Sequence, residues 1–151
     1  MKKSKIVVTK MDKIIFDLAI KSDHKTLAIW AIDCALRVLP YFEDKFPKDI
    51  RPKKAIETLQ EWIKTGIFKM AVIRKASLGA HAAARLVEKD YEACSVARAC
   101  GQAVATAHVS THSVAAAMYA ATAVRDKNGS TDEATKEREW QYQHLLELSK
   151  I

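Results

Sequence analysis

The sequence is poor in the residues that break or reverse a chain. Its 151 residues include only four glycines and three prolines, well below average usage, so little turn chemistry is present to punctuate a sheet protein. Only residues 6–9, Ile-Val-Val-Thr, have the β-branched character of a strand. We therefore expect an all-α protein.

Other absences exclude whole classes of protein. No apolar run approaches the roughly 18 residues that a membrane span needs, and charged side chains within residues 10–13 interrupt any signal-peptide core. The three cysteines, Cys34, Cys94 and Cys100, have no motif spacing, which is typical of buried thiols in a cytosolic protein. No glycine-rich phosphate loop, HExxH motif or nucleophile elbow is present. We therefore expect a cytosolic protein without a recognised catalytic motif.

Length and local signals predict a single-domain helical bundle of about five to seven helices. Residues 1–22 are predicted to form a mobile basic arm followed by a short helix capped at Thr9. Asp23, Asp90 and Ser130 are the expected N-caps of later helices, the last in a capping box. The later helices are predicted at residues 24–45, 51–65, 69–88 and 91–125, with a final helix after Ser130.

Three local features are predicted to interrupt or end helices. Pro40 lies inside an otherwise helical pattern and predicts a kink or a restart, because proline removes one backbone hydrogen bond. Val109-Ser110-Thr111 is the expected break in the long segment 91–125, since these residues have modest helix propensity. Residues 126–129, Asp-Lys-Asn-Gly, are predicted to form a turn.

The centre of the bundle is predicted from alanine content. Residues 69–125 hold 18 of the 24 alanines, and small side chains allow helix backbones to approach closely. The short connection near Asp90 predicts that the helices before and after it form a central antiparallel pair. In the first of these helices, a polar stripe contains His81, and the opposite side contains the alanines available for packing.

Three histidines in this segment, His81, His108 and His112, have two main interpretations. His108 and His112 are four residues apart, so on a continuous helix both rings would lie on one face at a spacing common for zinc ligands. A third ligand could come from His81, Asp33 or Cys34. The favoured alternative is that the histidines make structural hydrogen bonds, and proton-transfer catalysis is a minor third interpretation. No cofactor is predicted; a zinc ion at the histidines is the alternative considered.

A second candidate cluster consists of Trp30, Asp33, Arg51 and Trp62. Asp33 and Arg51 could form an ion pair between helices, flanked by the two indole rings. A structural role for this cluster is favoured over a ligand pocket.

The net charge of +7 does not by itself identify a partner. Nucleic-acid binding through the basic arm is possible, but no dense Lys/Arg stripe with interleaved aromatic residues appears, so this partner is not favoured. The sequence leaves the oligomeric state open.

Several segments between residues 24 and 145 occur together in the order typical of a known family. They are Trp30-Ala31-Ile32-Asp33-Cys34-Ala35, Val38-Leu39-Pro40 with Phe42-Glu43, Arg51-Pro52 with Ala55-Ile56-Glu57 and Trp62, residues 80–85, residues 105–109 with His112, Tyr119-Ala120 and Arg138-Glu139-Trp140-Gln141. In this order they resemble the Imm-5-like putative immunity proteins of bacteria.

The resemblance implies a small helical protein that binds a cognate protein toxin and blocks it without catalysis. It brings no catalytic residues with it. An inhibitor that imitates nucleic acid to block a nuclease should be acidic, whereas this chain is basic. We therefore expect occlusion of the toxin, with an acidic toxin surface as the matching partner.

Overall fold

Helices are the only regular secondary structure between residues 5 and 150, the residues that the computed structural model describes. No helix in this part of the chain is both long and apolar enough to cross a bilayer. The all-α prediction is confirmed, and the β-branched residues 6–9 form no strand. The seven helices are α1 (Asp12–Ala19), α2 (His24–Glu43), α3 (Arg51–Thr65), α4 (Met70–Leu86), α5 (Tyr91–Ala105), α6 (His112–Asn128) and α7 (Thr131–Leu148).

Local chemistry sets several of the helix ends. Asp23, Asp90 and Ser130 each accept a hydrogen bond from the backbone N–H three residues later, as the sequence predicted. Gly66 closes α3 in the left-handed conformation, with φ of +70°, which glycine adopts without the steric cost that a β-carbon brings.

Three predicted boundaries are wrong. Thr9 is not the N-cap residue of α1, which is Met11. The Thr9 hydroxyl accepts a hydrogen bond from the Met11 N–H and donates one to the Asp12 carboxylate. The predicted turn at residues 126–129 is largely helical, because α6 continues to Asn128 and only Gly129 turns the chain. Of the two alternatives at Pro40, the restart is wrong, since α2 runs through it to Glu43. The kink stays a prediction.

The predicted break in segment 91–125 is confirmed, although it begins earlier than expected. α5 ends at Ala105, α6 begins at His112, and the six residues between them form turns. The break separates His108 from His112, a point that matters for the site described below.

α5 lies at the centre of the bundle and packs against α2, α3, α4 and α6. Buried side chains from all seven helices form one continuous core, in which alanine is the commonest residue in α5 and α6. The predicted antiparallel arrangement of α4 and α5 is evident in two contacts: Ser77 bonds to the carbonyl of Gly101, while His81, one turn later, bonds to the earlier residue Arg98.

A buried polar network ties four helices together. The indole N–H of Trp30 donates to the carbonyl of Gln141 (2.9 Å), and the Gln141 amide donates to the carbonyl of Ala117 (2.9 Å). Arg138, only 1% exposed, donates to the Gln141 side chain (2.8 Å) and to Asp12 (3.1 Å). Burial lowers the pKa of the Arg138 guanidinium, and the Asp12 carboxylate opposes that effect.

The N-terminal segment is attached to α6 in its described part. Val7 is buried, and its backbone N–H donates to the Thr122 hydroxyl at 3.0 Å. Arg125 donates to the carbonyl of Lys5 at 2.7 Å. The predicted mobile arm is therefore wrong for residues 5–9, and its first four residues lie outside the described part of the chain.

Candidate functional site

The helix break removes the geometry on which a paired His108–His112 site depended. His112 begins α6, and its Nδ1 lies 2.7 Å from the side-chain oxygen of Gln102 on α5. His108 is exposed in the turn before α6, where its ring stacks on Phe68 with centroids 5.9 Å apart. The two imidazoles therefore do not share one face of a continuous helix.

His81 lies between α4 and α5 and has a cation as its partner. Arg98 Nη1 donates to His81 Nδ1 at 2.9 Å, and since a guanidinium can only donate, the neutral ring carries its proton on Nε2. Burial lowers the pKa of His81 to about 4, and the positive charges of Arg98 and Arg85 act in the same direction. Burial also lowers the pKa of His112. Both rings are therefore neutral near pH 7.

The predicted zinc ligands are not brought together. Among residues 5–150, no group of three or more His, Cys, Asp or Glu side chains is arranged to hold a metal ion. Of the other proposed ligands, Cys34 is fully buried in the core and Asp33 bonds to His144 on α7. The histidines instead make separate contacts with Arg98, Gln102 and Phe68, in agreement with the structural interpretation.

The second predicted cluster is also dispersed. Asp33 Oδ2 lies 2.7 Å from Nε2 of His144, whereas the Arg51 guanidinium makes two hydrogen bonds to Asp49, at 2.9 and 2.7 Å. The suggested Asp33–Arg51 ion pair is therefore wrong. Trp30 belongs to the buried network, and Trp62 packs against the ring of His24 with centroids 4.9 Å apart.

Between α2 and α7 the structure forms a cluster that was not predicted. The Arg37 guanidinium lies 3.8 Å from the ring centroid of Trp140 and makes two hydrogen bonds to Glu137, at 2.7 and 3.0 Å. His144 stacks on Trp140 at 4.8 Å. Trp140 and His144 are four residues apart on α7, a spacing that predicts their contact. The spacing does not indicate their partners on α2. These hydrogen bonds and ring contacts join α2 to α7.

Two surface depressions lie side by side between α3 and α4. Two neighbouring depressions, of about 660 and 440 Å³, have Lys54, Thr58 and Val72 as shared lining residues; we call them together the α3–α4 groove. The larger continues to Trp62 and Ile67, and the smaller is bounded by Arg51, Lys75 and Gly79.

Beside this groove α4 exposes apolar side chains and cations. Val72, Leu78 and Leu86 are 50%, 59% and 76% exposed, and at ~100° per residue they fall with Lys75 within an arc of roughly 120°. Arg74 and Arg85 lie along one edge of that arc. We call these six residues the α4 face. Sequence reasoning missed it because alanine on most sides hides the orientation of the helix, although one signal was available: residues 67–87 contain four cations and no acid.

Comparison with protein families gives one finding. The family model described as Imm-5 like putative immunity protein matches residues 17–148, from within α1 to the end of α7. No curated protein and no solved structure matches the chain significantly.

Proposed function

The chain belongs to the Imm-5 like putative immunity protein family, and on this basis we propose that it binds a cognate bacterial toxin in the cytoplasm and neutralises it. The family match carries the proposal because it covers nearly the whole helical bundle and not one short motif. The family description names a role in immunity, and binding of a toxin is the finer statement that we add.

The arrangement of polar groups supports occlusion of the toxin in preference to catalysis. The polar pairs noted above, His81–Arg98 and Asp33–His144, engage each other across helices. Cys34 and Cys100 are fully buried, and burial raises the pKa of both thiols, so neither supplies a reactive thiolate near pH 7. An occluding inhibitor needs a complementary surface and no reactive group.

The charge of the chain indicates the kind of toxin surface that fits. Oppositely charged surfaces steer association and discourage wrong partners, so a protein of net charge +7 matches an acidic toxin surface. If the toxin is a nuclease, its nucleic-acid groove is basic and would repel this protein. Binding would then occur beside the groove and block it sterically.

Co-expression tests the proposal. The protein encoded next to this chain's gene is produced from an inducible promoter, with and without this chain, and growth is followed. We expect growth arrest by that protein alone, rescue by this chain, and a one-to-one complex of the purified proteins. Persistent arrest despite equal amounts of soluble, folded chain would contradict the proposal.

A further inference from the structure

We infer that the α4 face and the adjoining α3–α4 groove form the surface that binds the partner, and that the partner presents an acidic protein segment with apolar side chains between its carboxylates. The inference rests on the proposed function and names the surface and the chemistry through which it would act.

The exposed apolar side chains are the first argument. Single exposed aliphatic residues are common on soluble proteins, whereas several grouped on one side of a helix indicate an interaction surface. Here Val72, Leu78 and Leu86 share one arc of α4, and the exposed Ile67 lines the groove together with Val72. A partner's apolar side chains would remove this surface from water.

Charge is the second argument, and it indicates that the partner's surface is acidic. The cations Lys69, Arg74, Lys75 and Arg85 form no ion pair within residues 5–150, whereas Lys45, in the turn after α2, pairs with both Asp90 and Glu92. Unpaired cations beside apolar residues match carboxylates on a partner. The acids bordering the groove, Glu57 and Glu61, lie on α3, so the partner's carboxylates would seat towards α4.

Gly79 supplies the third argument. A β-carbon there would come no nearer than 3.9 Å to any neighbour, the side chain of Arg51, so packing does not require glycine at this position. A glycine inside a helix lowers helix stability relative to alanine. Its effect at this position is to leave the smaller depression of the groove open between Arg51 and Lys75.

Two other occupants fit the surface less well. A second copy of the chain, placed with its α4 face against this one, would bring the unpaired cations Arg74, Lys75 and Arg85 of both copies together. Single-stranded nucleic acid would use the cations, but its recognition also needs aromatic platforms for the bases, and the aromatic rings here already contact other rings, Trp62 that of His24 and Phe68 that of His108. Exposed leucines suit a protein partner.

Matched charge reversals test the surface. One triple variant carries Arg74→Glu, Lys75→Glu and Arg85→Glu; the control carries Lys5→Glu, Lys10→Glu and Lys21→Glu, which are exposed residues before and after α1. Both lower the net charge by six. Calorimetry with the neighbouring gene's toxin should show affinity at least about 100-fold weaker for the first variant and less than about fivefold weaker for the control. Circular dichroism confirms that both fold. Equal losses would overturn the inference while leaving the proposed function intact.

Gly79→Met provides an independent variant that keeps all charges. Because the site has room for a side chain, the variant should melt at or above the temperature of the wild type, and yet bind the toxin at least about tenfold more weakly. Unchanged affinity would remove the groove from the binding surface.

Failure of the neighbouring protein to bind would refute the proposed function. A probe peptide tests the surface even in that case. The peptide is a 16-residue helix with leucines at positions i, i+3, i+4 and i+7 and glutamates elsewhere. Amide shifts on its addition should concentrate in residues 51–58 and 67–87 and disappear in the Arg74/Lys75/Arg85 variant. Shifts on another face, no shifts at millimolar peptide, tighter binding of oligothymidylate to this face, or self-association lost in the triple variant would each overturn the inference.

Discussion

His81 occupies the space that a side chain at position 101 would need. A β-carbon on Gly101 would lie 2.7 Å from Nε2 of the imidazole, closer than unstrained packing allows. On its other nitrogen the ring accepts a hydrogen bond from Arg98. The backbone of Gly101 is ordinary α-helix, so glycine is required there by the close approach of α4 and not by an unusual φ.

Gly101→Ala is therefore expected to destabilise the protein although alanine favours helix. Overpacking a core costs about 1–3 kcal/mol, against a gain of about 1 kcal/mol in helix propensity. With His81→Ala already present, the same substitution should instead stabilise by up to about 1 kcal/mol. Urea denaturation of the four proteins in this cycle measures the coupling, and equal effects of Gly101→Ala in both backgrounds would rule out the contact as its cause.

Stability should fall as the pH is lowered from 7 towards 4. The folded-state pKa of His81 is about 4, below its ordinary value of 6.5, so between these values the unfolded chain binds a proton that the folded chain does not. The ring is partly exposed, and we expect His81 to account for about 1–2 kcal/mol of the loss. Urea denaturation at pH 7 and pH 4.5 measures it. His81→Asn should show a smaller loss, and an identical pH dependence would contradict the assignment.

Removing the partner of the buried Arg138 should be costly. Asp12 is its carboxylate partner at 3.1 Å, and Arg138 Nε has no hydrogen-bond partner among the described residues. Breaking a buried ion pair leaves an uncompensated charge, so Asp12→Ala should lower the free energy of unfolding by about 2–3 kcal/mol. This loss is small for a buried ion pair because Asp12 is partly exposed. Adding Arg138→Met should restore part of this. A double variant less stable than Asp12→Ala would show that the guanidinium stabilises the core even without its carboxylate.

One of the three cysteines should react readily in the native protein. Cys34 and Cys100 are buried with raised pKa values, whereas Cys94 is half-buried. Titration with a disulfide reagent should therefore show one fast thiol in buffer and three in denaturant. Cys94→Ser should abolish the fast phase. Rapid reaction of two or more native thiols would indicate that the core around α2 or α5 opens easily.

Four helix ends were predictable because their causes are local. Asp23, Asp90 and Ser130 bond to the backbone three residues ahead, and Gly66 needs only its own φ, so a short window of sequence contains the whole interaction. The packing side of α4 was also anticipated, as Ala80, Ala83 and Ala84 are fully buried. Spacing along a helix is sufficient to assign residues to one side of it.

The candidate site was less predictable, because partners distant in sequence depend on which helices become neighbours. Asp33 bonds to His144, 111 positions away, and Arg51 turns to the nearby Asp49. The predicted pairing of His108 with His112 was wrong because of one local feature. The two residues share a face only if the helix is continuous, and α5 ends at Ala105. A break of six residues was enough to send the two rings to different partners.

By itself the sequence determined the helical class, the main helix starts and the resemblance to an immunity family, since these follow from composition, capping and residue order. Only the tertiary structure decided that Arg138 is enclosed in the core, that His81 fills the gap left by Gly101, and that Val72, Leu78 and Leu86 remain in contact with water. The physical reason is that alanine packs on any side of a helix. The spacing along α4 therefore marked its alanine side for packing but left open which other sides would be covered, and the contacts with α3 and α5 decided that.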